Sequence, residues 1–282
     1  MHFCAAARTS VLGLCFFMGV WVMSRPAAAA VLQLEALAWT QTSSGISVDD
    51  RDYFAGVASN GRVIAIAPTG LNRVVSEAWA RDGAVGAKVH SVSALAAADG
   101  HAFALSTSKV TLNPPPSYAG SEYGIVTAQI SFTGSVSAFG SGGFTAHTAS
   151  IDAKIQVPGI ELVKGQYLQD GQFIGEEFGT YPFTYIVKIG DPTDYTTSAS
   201  AYAYAYAWDG GHADVRADFG STVRWMGVTG VTQEDGTPII GYTLTDQDGT
   251  DWTQPLPVPE PSSVLTLLAL MPLLHRNRLH AR

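Results

Sequence analysis

The sequence predicts an all-β protein: a single β-sandwich or jelly-roll-like domain, flanked by an N-terminal signal helix and a short C-terminal hydrophobic helix. Three observations predict it. Apolar residues between positions 31 and 257 recur with period two rather than 3.6. Gly, Pro and Asp turn signals separate these stretches at short intervals, as in sandwiches and jelly rolls. The composition, 14% charged with 29 glycines, is poor in charge and rich in small residues, yet at 46% hydrophobic it is too apolar for disorder. A length of 282 residues is compatible with one large β-domain between two end segments.

The first element is residues 1–30. A short start carrying Arg8 precedes the 13-residue apolar run VLGLCFFMGVWVM, and SRPAAAA follows. This is the three-part pattern of a secretory signal peptide, with Ala28, Ala29 and Ala30 offering small residues to signal peptidase. The run is short against the ~20 residues of a spanning helix. Export machinery of the Sec type and signal peptidase are the partners this segment implies. Both cysteines, Cys4 and Cys15, fall within it, so residues 31–257 contain none. Zinc–thiolate sites, iron–sulfur sites and cysteine nucleophiles are thereby excluded there.

Residues 31–253 form the expected exported domain. Val31 to Thr42 reads as a first strand with Leu32, Leu34 and Trp39 inward. VIAIA at 63–67 stops at Pro68, and 91–112 alternates up to the triple proline at 114–116. Within the latter, Asp99-Gly100-His101 has turn chemistry. YGIVTAQISFTGSVSA at 123–138, the turn GSGG at 140–143 and a returning strand at 144–157 follow, then TYIVKI at 184–189. Segments 223–231 and 239–245 flank Asp235-Gly236, a hairpin signal. Helix has room only in the short stretches 74–80 and 94–98.

The most regular stretch is SASAYAYAYAW, 198–208. On a strand, Tyr202, Tyr204, Tyr206 and Trp208 share one face, and Ala201, Ala203, Ala205 and Ala207 share the other. Aromatic bias toward burial places the rings inside a sandwich, with their hydroxyls at the rim. The alternative is a surface ladder. Same-face rings at roughly 6.5 to 7 Å spacing would then stack on sugar faces.

Chemistry-bearing residues are sparse. His90, His101, His147 and His212 show no metal-pair spacing. Glu176-Glu177, read as part of a strand, point to opposite faces and do not form a glycosidase pair. No nucleophile elbow or phosphate-binding glycine loop occurs. Asp246, Asp248 and Asp251 place oxygens on one loop, a weak calcium candidate, but Gly249 and Pro257 stand where an EF-hand pattern needs other residues. The reading is therefore a non-enzyme without cofactors, and a hydrolase of matrix sugars is the least favoured class. The 31–257 segment holds 11 basic and 23 acidic residues, a net of −12, which disfavours nucleic acid.

Residues 254–282 differ in kind. Gln254-Pro-Leu-Pro-Val-Pro259 forms a stiff extended tether. Val264 to Leu274 is an 11-residue apolar run, interrupted by Pro272, that reaches only roughly 16 Å as a helix against ~30 Å of hydrocarbon. Arg276, Arg278 and Arg282 follow, interspersed with His275, Asn277, Leu279 and His280, and favour the cytoplasmic side.

The order Val258-Pro259-Glu260-Pro261-Ser262, apolar run, basic end resembles the PEP-CTERM sorting signal of exopolysaccharide-producing Gram-negative bacteria. The resemblance implies an exported protein held briefly at the inner membrane. There an exosortase, a transpeptidase-like membrane enzyme, reads the tail. Ala217 to Val223, the Asp235-Gly236 turn and Gly249 to Trp252 are similar to the final strands of many such proteins. The expected setting is the cell surface or the extracellular matrix. The expected role is structural or adhesive, with exopolysaccharide as a possible partner. The alternative is a carbohydrate-binding, module-like protein using the aromatic strand.

Overall fold

The structure, a computed structural model, describes residues 30–256 apart from Ser59, Asp82, Leu95 and Asp170. The signal segment and the sorting segment, with their two expected helices, lie outside the described residues. Every element within them is a strand. In chain order these are β1 Ala30–Thr42, β2 Ser47–Ala58, β3 Asn60–Thr69, β4 Asn72–Arg81, β5 Ala84–Ser93, β6 Ala96–Asn113, β7 Tyr123–Phe132 and β8 Ser135–Ser141. There follow β9 Phe144–Val157, β10 Ile160–Gln169, β11 Gln172–Gly175, β12 Thr180–Lys188, β13 Pro192–Trp208, β14 His212–Thr232 and β15 Thr243–Asp246.

They form two antiparallel sheets that face each other across one hydrophobic core, a β-sandwich-like all-β fold. The first has the order β11-β10-β9-β13-β6-β1-β2, with β15 pairing on β6. The second has the order β12-β7-β14-β5-β4-β3, with β8 pairing on β14. Alternation decides the layering. In β1, Leu32, Leu34, Ala36 and Ala38 are fully buried, while their neighbours point out.

Several expectations are corrected. Trp39 lies on the outer face, because odd positions of β1 point away from Leu32 and Leu34. Segment 74–80 is strand β4, and its alternating burial follows the sheet rather than a helix. The 91–112 stretch is two strands. It breaks where Ala96 takes φ 132°, a conformation costly for a residue with a Cβ, and where the Ser93 hydroxyl donates to the Ala96 carbonyl at 2.8 Å. The chain crosses from one sheet to the other at this kink. The Asp235-Gly236 turn forms as expected, with Gly236 at φ 86°. Its second arm leaves after a bridge at Pro238 and pairs with β6 as β15, not with β14.

The core has two unlike halves. In one, β13 presents Ala199, Ala201, Ala203, Ala205 and Ala207 to β5 and β14, all nearly inaccessible. The sheets come so close there that single serines span the gap. Ser91 donates to the Ala203 carbonyl at 2.8 Å, and Ser76 donates to the Leu37 carbonyl at 2.6 Å. Gly100, in mid-β6, sits at a close approach of the two sheets: a Cβ there would lie 2.5 Å from Val89 Cγ1 and 2.6 Å from Val74 Cγ1. The Asp99-Gly100-His101 stretch is thus strand, not turn.

In the other half the gap is filled by rings. Tyr195 packs edge-on against Tyr185, with centroids 5.5 Å apart, and against Trp225 at 5.4 Å. Trp252 closes the cluster at 5.6 Å from Trp225. Within the ring cluster the polar atoms are served, whereas the Ser106 and Thr197 hydroxyls and His147 Nδ1 are buried without a hydrogen-bond partner among the described residues. Trp225 Nε1 donates to the Trp252 carbonyl at 2.7 Å, and the hydroxyls of Tyr185 and Tyr195 bond to each other. Burial raises both phenols above their ordinary value. Leu256, expected in the exposed tether, is buried against this cluster and donates its N–H to the Trp225 carbonyl. Val31 pairs with Thr107, beside the Ser108 that pairs with Tyr195, so both ends of the described chain lie toward the ring-filled half.

The β3 edge of the second sheet is protected. β2 has no fully buried residue, and only Val48, Phe54 and Ala58 pack partly against the core, which hid it in the sequence. Its carboxylates reach the edge of β3 in the opposite sheet. Asp50 accepts from the Ile66 N–H at 2.8 Å and Asp52 from the Ile64 N–H at 3.0 Å, so two edge amides that would invite another strand are capped.

Candidate binding face

The C-terminal half of strand β13, residues 201–208, alternates alanine with tyrosine or tryptophan. The alanines are buried because the thin half of the core leaves room only for methyl groups. Tyr202, Tyr204, Tyr206 and Trp208 therefore face solvent, not the core as aromatic bias predicts. The three tyrosines are half-buried and Trp208 is 49% exposed.

Register then shows what lies beside the rings. One row across the sheet runs Trp39 (β1), Asp99 (β6), Tyr204 (β13), Thr148 (β9). The next runs Leu37, His101, Tyr202, Ser150 and Tyr167 (β10). All sit on the outer phase of their strands, opposite buried alanines such as Ala98 and Ala102. The face is a patch of rings with Asp99 and His101 set within it, bordered by Asp49 and Arg51 on β2 and by Asp152 on β9.

Asp99 is the electrostatic centre of the patch. Burial among the rings raises its carboxyl above the ordinary value, while the His101 charge and a hydrogen bond from Tyr202 oppose the rise. Tyr202 is pushed up to about 12, first by burial and then by the Asp99 charge. The Tyr204 phenol is raised too, by burial and then by Tyr206 and Asp99. The pair joins the Asp99 carboxyl as acceptor to the Tyr202 phenol as donor.

The other sequence candidates have local roles. Asp246 accepts from the N–H groups of Asp248 and Thr250 and, at 3.1 Å, from Trp252 Nε1. Asp251 accepts from the Thr253 N–H and hydroxyl. These oxygens shape their own turn and anchor Trp252. Among the described residues no three His, Cys, Asp or Glu side chains are grouped to hold a metal. Glu176 and Glu177 lie between β11 and β12 rather than in a strand, and Glu176 is ion-paired with Lys164. His212 opens β14, and His90 bonds Asp214 at 3.0 Å on the outer face of the second sheet. Burial alone would raise Asp214. The hydrogen bond and charge of Arg216, with those of His90, outweigh it and hold its carboxyl below the usual range. The sorting residues Val258, Pro259, Glu260, Pro261, Ser262, Arg276, Arg278 and Arg282 lie outside the described residues.

Sequence reasoning found the ring row but missed Trp39, Asp99, His101 and Tyr167. The signal was present as parity: Trp39 is out of phase with Leu32 and Leu34, and Asp99 is in phase with Phe103 and Leu105 across Gly100.

No family model matches the chain, and no curated protein or solved structure is similar to it.

Proposed function

We propose that the chain is an exported, exosortase-sorted protein of the cell surface or extracellular matrix, with a structural or adhesive, non-enzymatic role among exopolysaccharides. The observation that carries this reading is the ordered set of end features. A signal pattern begins the chain, and Pro259-Glu260-Pro261, an apolar run too short to span and an arginine-bearing end close it. Intact mass spectrometry of the exported protein tests the reading. Loss of both end segments is the expected result. A mature mass that still includes residues 262–282 would overturn the processing.

A second reading, a carbohydrate-binding, module-like protein, is favoured by the outward placement of Tyr202, Tyr204, Tyr206 and Trp208. It is compatible with the first, since a matrix protein needs a surface that adheres. Replacing all four by alanine should abolish retention on polysaccharide, and unchanged retention would remove the ladder from the account.

A further inference from the structure

We propose that the outer face of the first sheet is a platform for an uncharged polysaccharide, and that Trp39, Asp99 and His101 belong to it with the β13 rings. The proposal deepens the carbohydrate-binding reading and rests on it. Its content is the composition of the site and the charge class of the ligand.

Geometry supplies the first argument. Neighbouring strands stand about 4.8 Å apart, and same-face residues of one strand about 7 Å apart. Trp39 and Tyr204 lie two strands apart in one row, so their backbones are separated by roughly 10 Å, with Asp99 between them. Tyr202, Tyr204 and Tyr206 extend the array along β13. A pyranose has an apolar C–H face that lies on a ring and a rim of hydroxyls that needs acceptors and donors. The platform sets rings in two directions, along β13 and across the sheet, with a carboxyl acceptor, phenol hydroxyls and an imidazole among them. Thr148, Ser150 and Ser200 add a hydroxyl band along β9 and β13.

Electrostatics supplies the second argument, and it selects the ligand's charge. The segment 31–257 carries a net −12. Asp99 is already partly removed from water, and the nearest charged basic chains serve acids: Arg51 pairs with Glu35 at 2.8 Å and Lys154 with Glu161 at 3.0 Å. A uronate-bearing polymer would bring like charge to a carboxylate that burial already disfavours. A neutral chain brings none, and its hydroxyls satisfy Asp99.

Placement supplies the third. Both described chain ends lie toward the ring-filled half of the core, whereas the platform covers the alanine half. A domain held by either end presents this face away from its attachment.

Affinity electrophoresis of the exported protein tests the proposal. The gels carry hydroxyethyl cellulose, xyloglucan, galactomannan or dextran as neutral probes and alginate as the acidic one. The expected result is retardation by at least one neutral polymer and none by alginate. Trp39→Ala and Tyr204→Ala should each weaken retardation at least tenfold. Asp99→Asn, which keeps the shape and the fold, should weaken it several-fold. Undisturbed retardation in Trp39→Ala and Asp99→Asn, with loss in Tyr204→Ala, would overturn the extended platform and leave the β13 ladder standing. Retardation by no neutral polymer, or by alginate in preference, would overturn both. Concentration-dependent dimerisation removed by Trp39→Ala would assign the face to a second copy of the chain and overturn the proposal.

Discussion

The two halves of the core solve one packing problem in opposite ways. Where β13 begins, Tyr195 points inward among Tyr185, Trp225 and Trp252. Where β13 ends, the inward positions are alanine, and its large side chains point to solvent. One strand thus changes the phase of its bulk along its length. Sheets stack about 10 Å apart when ordinary apolar side chains fill the gap. Rings fill the gap in the first half, and in the second, methyl groups and a glycine let the sheets close until serines bridge them. The difference teaches that the aromatic face is a consequence of the thin core. With no room inside, any ring on the end of β13 must face out.

This contrast yields predictions that differ between the halves. The largest effect belongs to the ring-filled half. Trp225→Ala removes a fully buried ring from a cluster that cannot collapse easily, and should cost about 3–5 kcal/mol in denaturant unfolding. The next belongs to the thin half and has the opposite cause. Gly100→Ala adds one methyl against Val74 and Val89 and should cost about 1–3 kcal/mol by overpacking. Equal tolerance of Gly100→Ala and an alanine-to-glycine change elsewhere would show that the sheets are not in close contact at β6.

A smaller effect concerns the face over the thin half. The folded state raises the Asp99 carboxyl, so the fold disfavours its charged form. That penalty is absent below the ordinary value of 3.8 and develops as pH rises through the folded value. Asp99→Asn should therefore melt at a higher temperature than the parent at neutral pH, and the advantage should vanish in acid. A constant difference across pH would mean that folding leaves the Asp99 carboxyl unshifted.

How much of this was legible in the sequence follows from the same contrast. Strands with a clear apolar phase, such as β1, β9 and the end of β13, are visible because a period of two has only one competing explanation. β2 is not, since an edge strand carrying Asp49, Asp50, Arg51 and Asp52 has no buried face to mark it. Asp99-Gly100-His101 looks like a turn because glycine beside aspartate usually marks one. Here the glycine serves a close approach between sheets, which only the opposite sheet reveals. The direction of the tyrosine row was misread for a related reason. Ring burial is the general trend, and the alanine phase that outweighs it has weight only when the facing strands are known. The candidate site inherits this limit, since its members come from strands β1, β6, β13 and β10, which pairing alone brings together.

The most direct test of the central claim, alanines in and tyrosines out over a thin core, is a pair of thermal melts on neighbouring residues. Ala203 is fully buried beneath the Ser91 hydrogen bond, and Tyr204 stands on the outer face. Ala203→Leu should lower stability by about 1–3 kcal/mol or prevent folding, because three extra carbons have no space. Tyr204→Ser should change it by no more than about 1 kcal/mol. If Tyr204→Ser is the more damaging of the two and Ala203→Leu is tolerated, the phase of β13 is the reverse of the one described, and the binding face does not exist.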